Sequence, residues 1–96
     1  MKQYTKGRAG PVSRLTLEIR DVINIEDGPN SRARGDGVAT MAGGKIRGVS
    51  FLVQGGNHAA VRDRMVQGET LDVSVRWTGG SAVTIIEYHP PVAKAA

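Results

Sequence analysis

The chain has 96 residues, 13 glycines, no cysteine and a formal net charge of +4. That length allows one domain with a single modest core, burying about two-thirds of the surface the unfolded chain exposes. The lack of cysteine excludes disulfides, thiolate nucleophiles and Cys-ligated zinc, and it fits a reducing compartment. The basic stretch MKQYTKGRAGPVSR leads into no apolar run of signal-peptide length, and no segment approaches the roughly 20 apolar residues of a membrane span. A cytoplasmic protein that engages no membrane is the expectation.

Residues 1–14 are expected to form a flexible basic arm, followed by one domain over 15–89 and a loose tail over 90–96. The first strand starts at Leu15. Leu15, Leu17, Ile19, Ile23 and Ile25 alternate with Thr16, Glu18, Arg20, Asn24 and Glu26, the period-two pattern of a strand. Asp21 interrupts the apolar face and Val22 falls on the polar one, so a bulge or sharp bend is expected there, as small barrels require. Asp27-Gly28-Pro29-Asn30-Ser31 carries dense turn chemistry.

A second strand is predicted over about Arg32–Ala42 and a third over about Lys45–Val53, joined by Gly43-Gly44 as a two-residue type I′ turn. Pairing Ala42 with Lys45 sets Thr40 opposite Arg47 and Val38 opposite Val49, with the hairpin tip projecting into solvent. A bulge near Gly48 would give a different register, and the residues leave both open. The period then changes. Asn57 is a suitable N-cap, His58–Gln67 has helical spacing with Val61 and Met65 on one face, and Gly68 suits the C′ position, so a helix of about three turns is expected. Leu71, Val73, Val75 and Trp77 alternate with Thr70, Asp72, Ser74 and Arg76 as a fourth strand. Thr78–Ser81 turns the chain, Ala82–Tyr88 forms the fifth, and His89-Pro90-Pro91 ends the pairing because proline offers no N–H.

Five strands with a helix between the third and fourth are the layout of the five-stranded OB-fold barrel, an all-β fold with one short helix in the order β-β-β-α-β-β. Over residues 51–75 the chain reads Phe51-x-Val53-x-Gly55, Ala59-Ala60, then Val66-x-Gly68-Glu69-x-Leu71-x-Val73-x-Val75. This resembles the middle of bacterial and phage single-stranded-DNA-binding proteins and the related primosomal replication proteins. The resemblance implies an OB-fold module that binds single-stranded nucleic acid, DNA before RNA, in replication or mobile-element biology. The residues themselves offer no phosphate-loop pattern and no metal-ligand spacing, so a non-enzymatic role with no cofactor, no small-molecule substrate and no metal is expected. Homo-oligomerisation is expected as well, because an open barrel exposes strand edges.

The charge distribution agrees with a polyanion-binding surface, since the positive excess sits in residues 1–14 and 31–50. Single strands are held by cations along the phosphates and flat side chains against the bases. The candidate binding residues are therefore Lys2, Lys6 and Arg8 in the arm, Arg32, Arg34, Lys45 and Arg47 on the second and third strands, and the aromatics Trp77 and Tyr88. Ordinary solvation of a basic tail and hairpin is the competing reading. Trp77 shares parity with the core residues of its strand, Phe51 is a core residue by the same parity, and Tyr88 suits either barrel-end packing or an exposed platform. Tyr4, in the arm, is a candidate stacker. With so few aromatics, binding should be electrostatic, salt-sensitive and weakly sequence-selective. His58 and His89 lack partners at metal-ligand spacing and are expected at the surface or a helix start. Arg34-Gly35-Asp36 is a chance match to an adhesion tripeptide. The alternative function is an assembly module that joins proteins through the barrel edge, since one fold serves both.

Overall fold

The computed structural model describes residues 10–25 and 31–91. Five strands, β1 (Val12–Ile25), β2 (Arg32–Met41), β3 (Ile46–Gln54), β4 (Thr70–Gly79) and β5 (Ala82–Tyr88), close into a barrel in the order β1-β2-β3-β5-β4. Helix α1 (Gly55–Val61) and a 3-10 turn (Arg62–Arg64) lie between β3 and β4, so the architecture is the expected OB-like one. Neighbours run antiparallel except β3 and β5, which pair in parallel over only Ser50–Leu52 and Ala82–Thr84.

The alternation read from the sequence is the inward face. Leu15, Leu17 and Ile19 of β1 meet Val49, Phe51 and Val53 of β3, Leu71, Val73 and Val75 of β4, and Val83 and Ile85 of β5 in one core. Val61 and Met65 from the helical segment plug its end.

The expected bulge in β1 is at Arg20. Ile19 pairs with Gly37 and Asp21 with Asp36, so Arg20 has no partner on β2. The extra residue reverses the parity: Val22 turns to pack on the core, and Asp21 and Ile23 turn outward to solvent. The strands approach closely here. A Cβ on Gly35 would lie 1.9 Å from the Asp21 carbonyl oxygen, and one on Gly37 would lie 2.5 Å from that of Glu18. The loop before β4 ties to the same place, with Ile19 N–H donating to the Glu69 carbonyl and Gly68 N–H to that of Ile19, both at 2.8 Å.

Three boundaries differ from expectation. First, the barrel starts upstream of residue 15: Val12, Ser13 and Arg14 pair with Arg76, Val75 and Ser74, and Trp77 N–H donates to the Pro11 carbonyl at 3.0 Å. Residues 1–9 and 92–96, the rest of the expected arm and most of the tail, are outside the described residues.

Second, the β2–β3 turn has three residues, not two. Met41 N–H donates to the Lys45 carbonyl and Gly44 N–H to the Met41 carbonyl, enclosing Ala42-Gly43-Gly44. Both glycines have positive φ, 89° and 87°, which suits this turn as well as the two-residue one. Arg47 thus faces Ala39, not Thr40, and Gly37, not Val38, faces Val49. A one-residue slip moves side chains to the other face.

Third, the helix is shorter and earlier. It begins at Gly55, whose φ of 57° turns the chain sharply out of β3, with Gln54 rather than Asn57 at the N-cap and no side-chain cap. After Val61 it tightens to 3-10, and Gly68, with φ 94°, serves a turn closed by Glu69 N–H on the Val66 carbonyl rather than a helix C-terminus.

Candidate nucleic-acid interface

Alternation along β2 sends Ala33, Gly37 and Ala39 inward and leaves Arg32, Arg34 and Asp36 outside. The ladders then line up three outward rows across β1, β2 and β3: Ile25–Arg32–Gln54, Ile23–Arg34–Leu52 and Asp21–Asp36–Ser50. Above the second and third rows lies a depression of about 280 Å³, lined among others by Asp21, Ile23, Arg34, Asp36 and Ser50. A second, of about 260 Å³, adjoins it through Asp36 and Ser50 and extends over Gly37 and Gly48 to Ser81. Together they form a shallow trough along β2–β3 with small residues in its floor. Ser50 Oγ donates to Asp36 Oδ1 at 3.1 Å.

At the hairpin end, Lys45 is exposed on the tip, and Arg47 reaches across to the β4–β5 turn. Its Nη2 donates to the Gly80 carbonyl at 3.0 Å, and its guanidinium lies 5.0 Å from the centre of the Trp77 ring, a cation–π contact. Trp77 is half-buried against the core, and its Nε1 donates to Ser13 Oγ at 3.1 Å. Its core-capping role and a partly accessible ring therefore coexist.

The candidates thus fall into three groups. Arg32 and Arg34 share the outward face of β2, while Lys45, Arg47 and Trp77 gather at the tip and the β4–β5 turn. Tyr88 is not brought to either place: it packs on the barrel core and borders a separate depression of about 230 Å³ with Thr16, Thr70, Asp72 and His89. Lys2, Lys6, Arg8 and Tyr4 are outside the described residues.

Carboxylates divide the cations further. Arg14 makes a two-pronged bond to Asp72, at 3.0 and 2.8 Å, Arg64 Nε sits 2.9 Å from Glu69, and Arg20 lies 3.6 Å from Glu18. The Arg14 bond holds the Asp72 carboxyl below its usual range and raises Arg14. Arg32, Arg34, Lys45 and Arg47 form no ion pair among the described residues.

The histidines are better partnered than the sequence suggested. His58 is fully buried, not at the surface. The Asn24 amide donates through Nδ2 to the Met65 carbonyl at 3.1 Å, which turns its Oδ1 toward His58 Nε2 at 3.0 Å as the acceptor of that contact. Among the described residues His58 Nδ1 has no partner. His89 Nε2 lies 2.7 Å from Ser74 Oγ, with the Glu87 carboxylate 4.0 Å from Nδ1, too far to orient the ring by a hydrogen bond. Among the described residues no three His, Asp or Glu side chains group as a metal site, and no helix is long and apolar enough to cross a membrane.

Sequence reasoning missed the acceptors in the trough. Asp21 showed as a break in the apolar pattern, and its partnership with Asp36 depends on the bulge and on the β1–β2 register. No family model matches the chain, and no curated protein or solved structure matches it either.

Proposed function

We propose that the protein is a non-enzymatic OB-type module that binds single-stranded nucleic acid, DNA in preference to RNA, along the β2–β3 face. One observation carries the reading: the cations without carboxylate partners among the described residues include all four candidates on β2 and β3, whereas Arg14, Arg20 and Arg64 are engaged. Phosphates would follow Arg32 and Arg34 along the outward face of β2, where Arg34 borders the trough, and Lys45 at the hairpin tip, and a base would rest at the Arg47–Trp77 pair. Stacking on such a surface contributes about 1–3 kcal/mol per base.

The test is titration of a fluorescent thymine oligomer at two salt concentrations. Affinity should fall steeply with salt, and Arg34→Ala and Lys45→Ala should each reduce the slope of log K against log salt by about one. No binding at low salt would overturn the proposal. A protein-assembly module is the second reading, favoured by the exposed side chains of Ile23 and Ile46. It predicts self-association or partner capture with no response to oligonucleotide.

A further inference from the structure

The trough holds a mixed set of groups that a purely electrostatic grip on phosphates does not use. Arg34 and Asp36 are two residues apart on the same outward face of β2 and border the same depression. Asp21 stands opposite Asp36 across the β1–β2 ladder, and Ser50 opposite it on β3. Like charges placed directly opposite in a sheet are unfavourable, and only the Arg20 bulge puts Asp21 there. The carboxylates repel a phosphate, and Arg34 repels a lone ammonium. What suits the site is a neutral, planar group with an acceptor beside donors.

We infer that this depression is a base-reading subsite selective for guanine, with Arg34 donating to O6 and Asp36 accepting from N1–H and the N2 amino group. The inference rests on the single-strand-binding reading and deepens it. A base edge carries its own donor and acceptor pattern, and guanine is the base that presents an acceptor next to two adjacent donors. Thymine offers one N–H between two carbonyl oxygens, which the carboxylate disfavours. Cytosine and adenine offer a single amino group and fall between. Asp36 keeps capacity for this role although Ser50 bonds its Oδ1, because a carboxylate has about four lone-pair sites. Ile23, 56% exposed beside Arg34, supplies an apolar wall for the ring face. The volume, about 280 Å³, lies just below the range of about 300–1,000 Å³ typical of small-molecule sites, a scale for one base rather than a length of chain.

The experiment compares a thymine oligomer with the same oligomer carrying one central guanine, and with inosine in that position, which keeps O6 and N1–H but lacks the amino group. Guanine should tighten binding about tenfold, in the range a two-bond base contact provides, and inosine should keep only part of the gain. Asp36→Asn should remove the guanine preference while leaving the affinity for the all-thymine oligomer equal or higher, because a negative charge is lost. A misfolded variant would instead lose both affinities. Equal binding of the three oligomers, or a preference that survives Asp36→Asn, overturns the guanine subsite and leaves single-strand binding standing. No binding of any oligomer overturns both.

Discussion

Two glycines on the same β-hairpin should respond in opposite ways to a single methyl group. Gly35 on β2 abuts the bulge in β1: a Cβ there would sit 1.9 Å from the Asp21 carbonyl oxygen, 2.8 Å from its carbon and 2.9 Å from the Val22 Cα. All three are backbone atoms, so no side chain can rotate away. Ordinary contact begins near 3.4 Å, and β1 and β2 would have to separate locally by about 1.5 Å. That opening loosens ladder bonds worth about 1 kcal/mol each and disturbs Val22 against the core. Gly35→Ala should therefore cost about 2–4 kcal/mol, or about 10–20 °C in melting temperature for a domain of this size. A Cβ on Gly48 of β3 would have nothing within 4 Å among the described residues, so Gly48→Ala should be neutral or stabilise by up to about 1 kcal/mol. Thermal unfolding followed by circular dichroism, with Trp77 emission as a second probe, measures both. If the two variants melt together, close approach at the bulge is not what Gly35 provides.

The Asn24 amide near the end of β1 should matter as well: Asn24→Ala strands the N–H of the buried His58 and the Met65 carbonyl, and chemical denaturation should register a loss of about 1–3 kcal/mol. Because Arg14 holds the Asp72 carboxyl below its usual range, the pair's stabilisation is complete above the unfolded carboxyl's pKa and is lost as pH falls through the lower folded value. Both groups are exposed, so the effect should be small; melting curves from pH 6 downward should show Asp72→Asn lacking this acid-dependent part, and high salt should blunt it in the parent. Removing the guanidinium over the indole, by Arg47→Ala, should shift Trp77 emission to longer wavelength and weaken oligonucleotide binding. An unchanged spectrum would mean the cation–π contact does not form in solution.

How much of this the sequence disclosed follows from the range of the interactions involved. The β1 and β4 faces are set by alternation within each strand, and even the bulge was visible because it inverts a local pattern at Asp21 and Val22. The hairpin register was not, since Gly43-Gly44 satisfies a two-residue and a three-residue turn alike, and the choice decides which way Arg47 points. The burial of His58 was also hidden, because its partner Asn24 lies 34 residues away on another element. At the candidate site the basic residues were legible as composition. The approach of Asp21 to Asp36 and Arg34 was not, because it requires the bulge and the β1–β2 pairing together.

The parallel seam between β3 and β5 has a mechanical consequence. Every other junction of the cylinder is stitched by at least six residue pairs, this one by three. Local openings follow the least-bonded path, so the wall should part first along this short join. Amide hydrogens at Ser50 and Leu52 would then trade with deuterium sooner than those at Leu17 or Val73. Ser50 also lines the trough, so a strand lying across it would act as a clasp on the barrel's loosest closure, slowing that exchange as it binds.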